Sequence, residues 1–387
     1  MEQELISISK KTVAIIGGGP SGCICAKFLS DAGFNVVLFD KGKFLQTILP
    51  TGGGRCNLAH ADFDFKSLAQ NYPRGEKFLY SVFSKFGTNE TLKFFKSIGI
   101  ETYIQDDKRI FPTSNSAHDI REKLLKSIKC KFINETVLEI TPEYKVITNK
   151  NEYNFDYIVI AIGGHADYGI LKNFNINIIS PEPSLVGLVT KEDFSTLSGV
   201  SIKNVNAKIY KNNFCGDMIF THKGISGPLI YTISSIYARQ KTPYKISLKF
   251  TDDFDFQKLL NENPHKEIKN LIGQFIPKSF AHYLINAAGI NPELPCHNIN
   301  SSMRNNIYIK LTDFDITITG KSPDGEVVTC GGIDLKEINS KTLESKKYEG
   351  LYFCGEVLDI DGLCGGFNLQ NCWSTGYVCA NSIMNKK

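Results

Sequence analysis

The stretch TVAIIGGGPSG, from Thr12 to Gly22, decides how the rest of the chain is read. Thr12 to Ile16 is a continuous apolar, β-branched run of the kind that fills a parallel strand buried on both faces. Gly17-Gly18-Gly19-Pro20-Ser21-Gly22 follows at once, and an apolar periodicity through Ala26, Phe28 and Leu29 then predicts a helix ending near Gly33. A second strand over residues 35–39 ends on Asp40 and closes a βαβ unit whose glycines stand where a bound dinucleotide requires them. Gly17 permits the tight turn, Gly19 lets the backbone approach a pyrophosphate, and Gly22 lets helix and strand pack closely; free N–H groups at the helix start then meet the phosphates. Asp40 is placed to accept from both hydroxyls of the adenosine ribose. An acid there disfavours a 2′-phosphate, so FAD or NAD is expected rather than NADP.

A related pattern returns near the end of the chain, in GLYFCGEVLDIDGLCGGFNLQNCWSTG, residues 350–376. It has a buried strand, a glycine-rich loop and a helix start, but not the spacing of a separate nicotinamide site. It reads as the returning half of one extended dinucleotide site, and two separated segments that approach one extended cofactor suggest a flavin dinucleotide. Gly365-Gly366-Phe367-Asn368 opens a helix whose positive end is expected to face the flavin N1 and O2 edge and to stabilise negative charge on the reduced ring. Between the two halves, residues 157–162 form another buried strand that runs into Gly163-Gly164, and Thr51 to Asn57 reads TGGGRCN. In that loop Gly52, Gly53 and Gly54 can fold close to the flavin side, Arg55 suits phosphate or an anionic flavin or substrate group, and Asn57 offers a donor and an acceptor to the ring or ribityl chain.

Length and composition bound these readings. A chain of 387 residues exceeds the usual single-domain range, and a formal charge of +4 with scattered basic residues gives no electrostatic argument for a nucleic-acid or membrane partner. MEQELISISKK, before the first strand, fits no secretory signal, and no apolar run reaches the roughly 20 residues that span a bilayer. The 11 cysteines are odd in number and lack any CxxC pair, which fits a reducing cytoplasm; neither they nor the seven histidines show metal-ligand spacing, so no metal is expected.

Two short helices are expected over residues 75–86 and 88–97, the second capped by Thr88 or Asn89, followed by a hairpin over 101–111 and a helix capped by Ser116. From about residue 184 the alternating runs LVGLVT, NVNAKIY, DMIFTH and YKISLKF predict antiparallel strands, with further strands at 306–319. The expected organisation is α/β: a discontinuous Rossmann-like FAD-binding domain over 1–185 and 327–387, interrupted by a β-rich domain over 186–326 with a helical piece at about 254–304.

These motifs, with RIFP at Arg109 to Pro112, SLVGL at 184–188, FTHKGISGP at 220–228 and VVTCGGI at 327–333, make the chain resemble the BaiN-like, aminoacetone-oxidase-type family of FAD-dependent oxidoreductases. That family is related more distantly to glutathione-reductase-type flavoproteins and to the glucose-inhibited division protein A group. The resemblance implies extended FAD, a Rossmann-like FAD domain, and an inserted β-barrel-like domain with a small helical subdomain. It implies a cofactor set of Gly17, Gly19, Pro20, Ser21, Gly22, Asp40, Lys41, Gly53, Gly54, Arg55, Cys56, Asn57, Val137, Ala161, Gly163, Gly164, Gly355, Glu356, Asp361, Gly366, Phe367, Asn368 and Leu369. Glu356, Asp359 and Asp361 compete for the ribityl hydroxyls.

The catalytic candidates are His222, His165 and Arg55. His222 is either a proton donor or a turn residue. His165, where relatives commonly carry Ser, is either a site residue or a loop substitution. Cys364 and Phe367 replace the usual Thr and Tyr. The expected chemistry is hydride transfer through flavin N5 to or from a small organic molecule, with NADH or NADPH as a transient donor in the reductase direction and oxygen as acceptor of an amine oxidase in the other. Action on RNA is the disfavoured third reading.

Overall fold

The computed structural model describes residues 11–252, 254–322 and 328–386. The stretch read for a signal segment, the domain boundary at 326/327 and Val327 of VVTCGGI lie outside the described residues. The chain divides into two compact units, Met1–Glu182 with Val328–Lys387, and Pro183–Val327.

The first unit is built on a five-stranded sheet in the order Leu351–Phe353, Tyr157–Ile160, Thr12–Ile16, Asn35–Phe39, Lys131–Ile133, with every neighbouring pair parallel. Ile16 stands opposite both Ile160 and Phe39, and Ile160 opposite Phe353, so the central strands finish level. From Thr12–Ile16 the chain moves to one side for Asn35–Phe39 and later returns on the other for Tyr157–Ile160. That reversal puts the topological switch point at Gly17, where a doubly wound sheet opens its ligand crevice. Val13, Ala14 and Ile15 are completely buried, as a two-faced strand requires.

Helix Pro20–Asp31 starts with Pro20 in its first turn and packs along the C-terminal helix Phe367–Met384. The approach is close because Gly376 carries no side chain: a Cβ there would stand 2.4 Å from the Ser21 carbonyl oxygen. Trp373, on the same helix, is fully buried and donates from Nε1 to Leu58 O at 2.9 Å. Trp373→Phe therefore leaves a buried carbonyl without its donor. The expected loss is about 1–3 kcal/mol, read from a urea unfolding curve at fixed FAD concentration.

The second unit carries a closed six-stranded barrel in the order Leu188–Thr190, Gly224–Ser226, Asn212–Thr221, Ser201–Ile209, Tyr244–Lys249, Phe314–Lys321. Along Ser201–Ile209 the side chains of Ile202, Val205, Ala207 and Ile209 are buried, while Lys203, Asn206 and Lys208 face out. A register shift between Ile202 and Val205 accommodates the one break in that alternation. Helices Phe256–Glu262, Ile268–Ile272, Lys278–Ala287 and Ser301–Thr312 belong to the same unit.

Two local expectations are corrected. Residues 306–312 are helical rather than strand, because Asn300 caps the helix by accepting from Met303 N at 2.9 Å and Ile307 and Leu311, four apart, are both fully buried. Only Phe314–Lys321 is strand. The helix Thr88–Ser97 is capped at Gly87, whose N–H donates to Glu90 at 3.0 Å, and not at Thr88 or Asn89. The Thr88 hydroxyl instead donates to His60 O and Asp62 O.

Candidate functional site

Three loops leave the parallel sheet side by side. Gly17 N donates to Phe39 O at 2.9 Å, Ala161 N to Ile16 O at 2.8 Å and Cys354 N to Ile160 O at 3.0 Å, so the turns at Gly17, Gly163 and Gly355 start from one level. Ser21 ties the first loop to the last strand, its buried hydroxyl donating to Cys354 O at 3.3 Å. Asp40 is held by two backbone donors, Gly18 N on Oδ2 and Gly42 N on Oδ1, each at 2.7 Å. Those bonds fix the carboxylate and leave lone pairs for a sugar. Lys41 beside it is exposed, and Val137 is partly buried at the start of the strand Val137–Ile140.

The glycines divide into two kinds. At Gly17 a Cβ would meet the protein itself, 2.2 Å from Ala161 O, whereas at Gly19, Gly53 and Gly163 no protein atom lies within 4 Å of where one would stand. The first kind packs the chain; the second lines open space, and at Gly19 that space lies before a helix start. A pyrophosphate fits such a cradle by its size and by the N–H groups it meets. Gly54 is likewise almost open, with only Leu49 O at 3.9 Å.

The Thr51 to Asn57 loop folds against the strand Arg109–Pro112. The Arg55 guanidinium lies over the buried Phe111 ring at 4.2 Å, and its Nε donates to Gly52 O at 3.2 Å. Arg109 lies 5.7 Å from the same ring and pairs with Asp107 at 2.6 Å. Cys56 is buried and its thiol is pushed up to about 12 by burial, which keeps it neutral as a wall of the loop. The Asn57 amide, oriented to satisfy its neighbours, donates to Ile110 O and Ala59 O and accepts from Gly366 N at 3.0 Å. Asn368 similarly accepts from Gly362 N at 2.8 Å and donates to Gly362 O at 2.9 Å. Both amides, expected to orient a ligand, are engaged in bracing backbone around the start of the C-terminal helix.

Gly355 N donates to Thr375 Oγ1 at 2.9 Å at the head of the last loop. Of the three acids expected near the ribityl chain, Asp361 is committed elsewhere. It is fully buried, and its two carboxylate oxygens are forked by Arg74 Nε and the terminal nitrogen Nη2. Glu356 and Asp359 are partly buried and act together on Tyr168, whose phenol is pushed up to about 12 by burial first and by those two acids second. Gly366 is the N-cap of the C-terminal helix, and Phe367 is core: its ring stacks on His60 at 4.5 Å, and its carbonyl accepts from the Tyr72 hydroxyl at 2.6 Å. His60 Nδ1 lies 3.1 Å from Gly365 O, so that nitrogen carries the proton and donates. Leu369 packs partly buried against the same core.

His222 is exposed in the turn between two barrel strands of the second unit, and His165 is exposed in the loop after Gly164. The first unit instead gathers Arg55, Phe111, Arg109, Asp107 and, through its charge contact with Arg109, Cys364. Sequence reading missed Arg74, His60 and Asp107. A buried Asp361 demands a cation, but nothing local pointed to one 287 positions away. Among the described residues no group of three or more His, Cys, Asp or Glu stands to hold a metal, and no helix is long and apolar enough to cross a membrane.

Residues 11–382 match the family described as HI0933-like protein Rossmann domain. The ribosomal RNA dihydrouridine synthase of Escherichia coli is 28% identical over 96% of this chain and 98% of its own length. The 3-dehydro-bile acid delta(4,6)-reductase of Clostridium scindens is also 28% identical, over 96% and 98%. The structure of 3-ketosteroid delta1-dehydrogenase from Sterolibacterium denitrificans superimposes with a TM-score of 0.51 at 12% identity, covering 98% of this chain and 100% of that one, which speaks for the fold alone. The chain belongs to the HI0933-like Rossmann family, a family of FAD-dependent oxidoreductases.

Proposed function

We propose that the protein reduces a carbon–carbon double bond conjugated to a carbonyl group, using FAD reloaded by NADH or NADPH. The observation that carries the cofactor half is the open cradle at Gly19 beside a ribose acceptor, Asp40, already fixed by two backbone bonds. The substrate half rests on what the names of the two 28% identical relatives share. Making dihydrouridine from uridine and reducing the 4,6 double bonds of a 3-oxo steroid both add hydrogen across a double bond in conjugation with a carbonyl.

In this reading the first loop and Asp40 hold the adenosine and pyrophosphate, Gly163 and Gly53 border the extended cofactor, and Glu356 or Asp359 accepts from the ribityl hydroxyls. The helix start at Gly366 would hold the ring edge that gains negative charge. Bound flavin supplies the hydride, and the chain supplies position and electrostatics. The five-stranded parallel sheet carries the one glycine fingerprint read in the sequence, so the nicotinamide docks transiently. A cytoplasmic setting with a freely diffusing substrate suits that chemistry, and neither a membrane nor a metal is required.

A second substrate reading, a uridine within RNA, draws on the name of the Escherichia coli relative; the formal charge of only +4 weighs against a large RNA footprint. Anaerobic titration tests the proposal. The expected result is a yellow protein releasing FAD on denaturation, bleached by NADH or NADPH and recoloured by a conjugated enone. Recolouring only by uridine-containing RNA moves the substrate to the second reading. Bleaching by a small amine with peroxide formation in air makes the protein an oxidase, and absence of FAD sinks both readings.

A further inference from the structure

We infer that Arg55, lying on the face of Phe111, is the seat for the substrate's carbonyl oxygen and carries the negative charge that develops there during reduction. The inference rests on the proposed reduction of a conjugated double bond and names the residue that makes it feasible. When a hydride adds to the β-carbon, the π pair moves through the α-carbon to the carbonyl oxygen and leaves an enolate. A proton from water then adds to the α-carbon and restores the carbonyl. The hydride comes from flavin reloaded by a reduced nicotinamide, so atoms and electrons balance. The step is costly unless a fixed donor meets the oxygen.

The geometry singles out Arg55 over its neighbour. Both guanidiniums share the Phe111 ring, Arg55 at 4.2 Å and Arg109 at 5.7 Å. Arg109 is neutralised by Asp107, which binds it at 2.6 Å and 2.7 Å. Arg55 has one hydrogen bond, from Nε to Gly52 O at 3.2 Å, and no carboxylate among the described residues pairs with it. Its terminal nitrogens therefore keep their donors. Arg55 is partly buried, and the face of the buried Phe111 ring supports its guanidinium. The ring also flattens and orients the guanidinium. Gly52, which accepts from Arg55 Nε, has φ of +57°, and a Cβ there would stand 2.8 Å from the Phe111 ring, so the turn that holds the arginine itself lies close against the same ring. A preorganised, unpaired planar donor fork suits a delocalised oxygen anion on a flat ring.

The test uses the full FAD-loaded protein and 4-chlorophenolate, a flat ring with an anionic oxygen that cannot be reduced. Its binding is read from the perturbation of the visible flavin band. Arg55→Gln is expected to raise the phenolate Kd at least tenfold with FAD content unchanged, Arg55→Lys to raise it less, and Arg109→Gln to change it less than threefold. Unchanged phenolate binding in Arg55→Gln overturns the inference. Loss of FAD from Arg55→Lys as well as Arg55→Gln also overturns it, by assigning the residue to the cofactor. Failure of the reductase reading is separately visible: wild-type protein that binds phenolate through Arg55 yet never transfers electrons to an enone keeps the anion seat and loses the reaction.

Discussion

Asp361→Ala is expected to destabilise the first unit by about 3–5 kcal/mol, a large share of what a domain of this kind has in reserve. The carboxylate is completely buried, and the Arg74 side chain that forks it is only 13% exposed. Removing the acid leaves a guanidinium with little access to water and without the carboxylate that forks it, and the lost stability is chiefly the cost of that unbalanced charge. The pair also bridges Arg74, just ahead of the helix Glu76–Phe83, to the loop ahead of Gly366. Urea unfolding at a fixed, saturating FAD concentration measures the effect, since cofactor occupancy itself adds stability. Replacing both partners, Arg74→Leu with Asp361→Leu, is expected to recover more than half of the loss. A single variant within about 0.5 kcal/mol of wild type, the ordinary range for surface substitutions, would show that Asp361 is free for the role the sequence suggested.

That pair also shows where legibility ends. Gly17, Gly22, Asp40 and the strands around them were readable because the information is local: the run of β-branched residues, the glycine spacing and the terminal acid lie within about thirty positions of each other in every site of this kind. Long-range pairing has no such pattern. Asp361 sits among Glu356 and Asp359 in sequence, and all three look alike until burial and the position of Arg74 separate them. The backbone bonds of Asn57 and Asn368 were illegible for a related reason. An amide in a glycine-rich loop suits a ligand and a turning backbone equally well, and here Ile110 O, Ala59 O and Gly366 N engage the Asn57 amide while both backbone groups of Gly362 engage that of Asn368. In the second unit, residues 306–312 alternate polar and apolar well enough to pass for strand, and only the cap at Asn300 with the Ile307 and Leu311 pair tips them into helix.

The site follows from how the sheet ends. Level strand termini bring three glycine turns to one end of the sheet; the C-terminal helix approaches the first helix closely at Gly376 and Ser21, Ser21 also holds Cys354 O, and Thr375 holds Gly355 N. A cofactor laid along that end, as proposed, would meet backbone donors rather than mobile side chains. Under that proposal binding would depend on loop shape, which side-chain substitutions at Asn57 or Asn368 would disturb indirectly.

Glycine substitutions in the first loop should separate the shape of the chain from the shape of the cofactor. Gly17→Ala is expected to fail as a fold, with little soluble protein or a loss of several kcal/mol. Gly17 has φ of +111°, and the added Cβ would stand 2.2 Å from Ala161 O, a backbone atom of the adjacent parallel strand that cannot swing aside. Gly19→Ala is expected to behave in the opposite way. Gly19 has φ of −77°, which any residue adopts, and nothing lies within 4 Å of its Cβ position. The FAD-free variant should unfold at the wild-type temperature or slightly above it, because alanine restricts the unfolded chain by about 0.4–1 kcal/mol. Its FAD affinity should nevertheless fall at least tenfold, roughly 1.4 kcal/mol, because the methyl group occupies the space through which the backbone meets the pyrophosphate. Apo-protein melting and FAD titration followed by flavin fluorescence give the two numbers independently. If Gly19→Ala binds FAD as wild type does, the open space before the helix belongs to something other than the pyrophosphate, and the cradle has to be sought at Gly53 or Gly163.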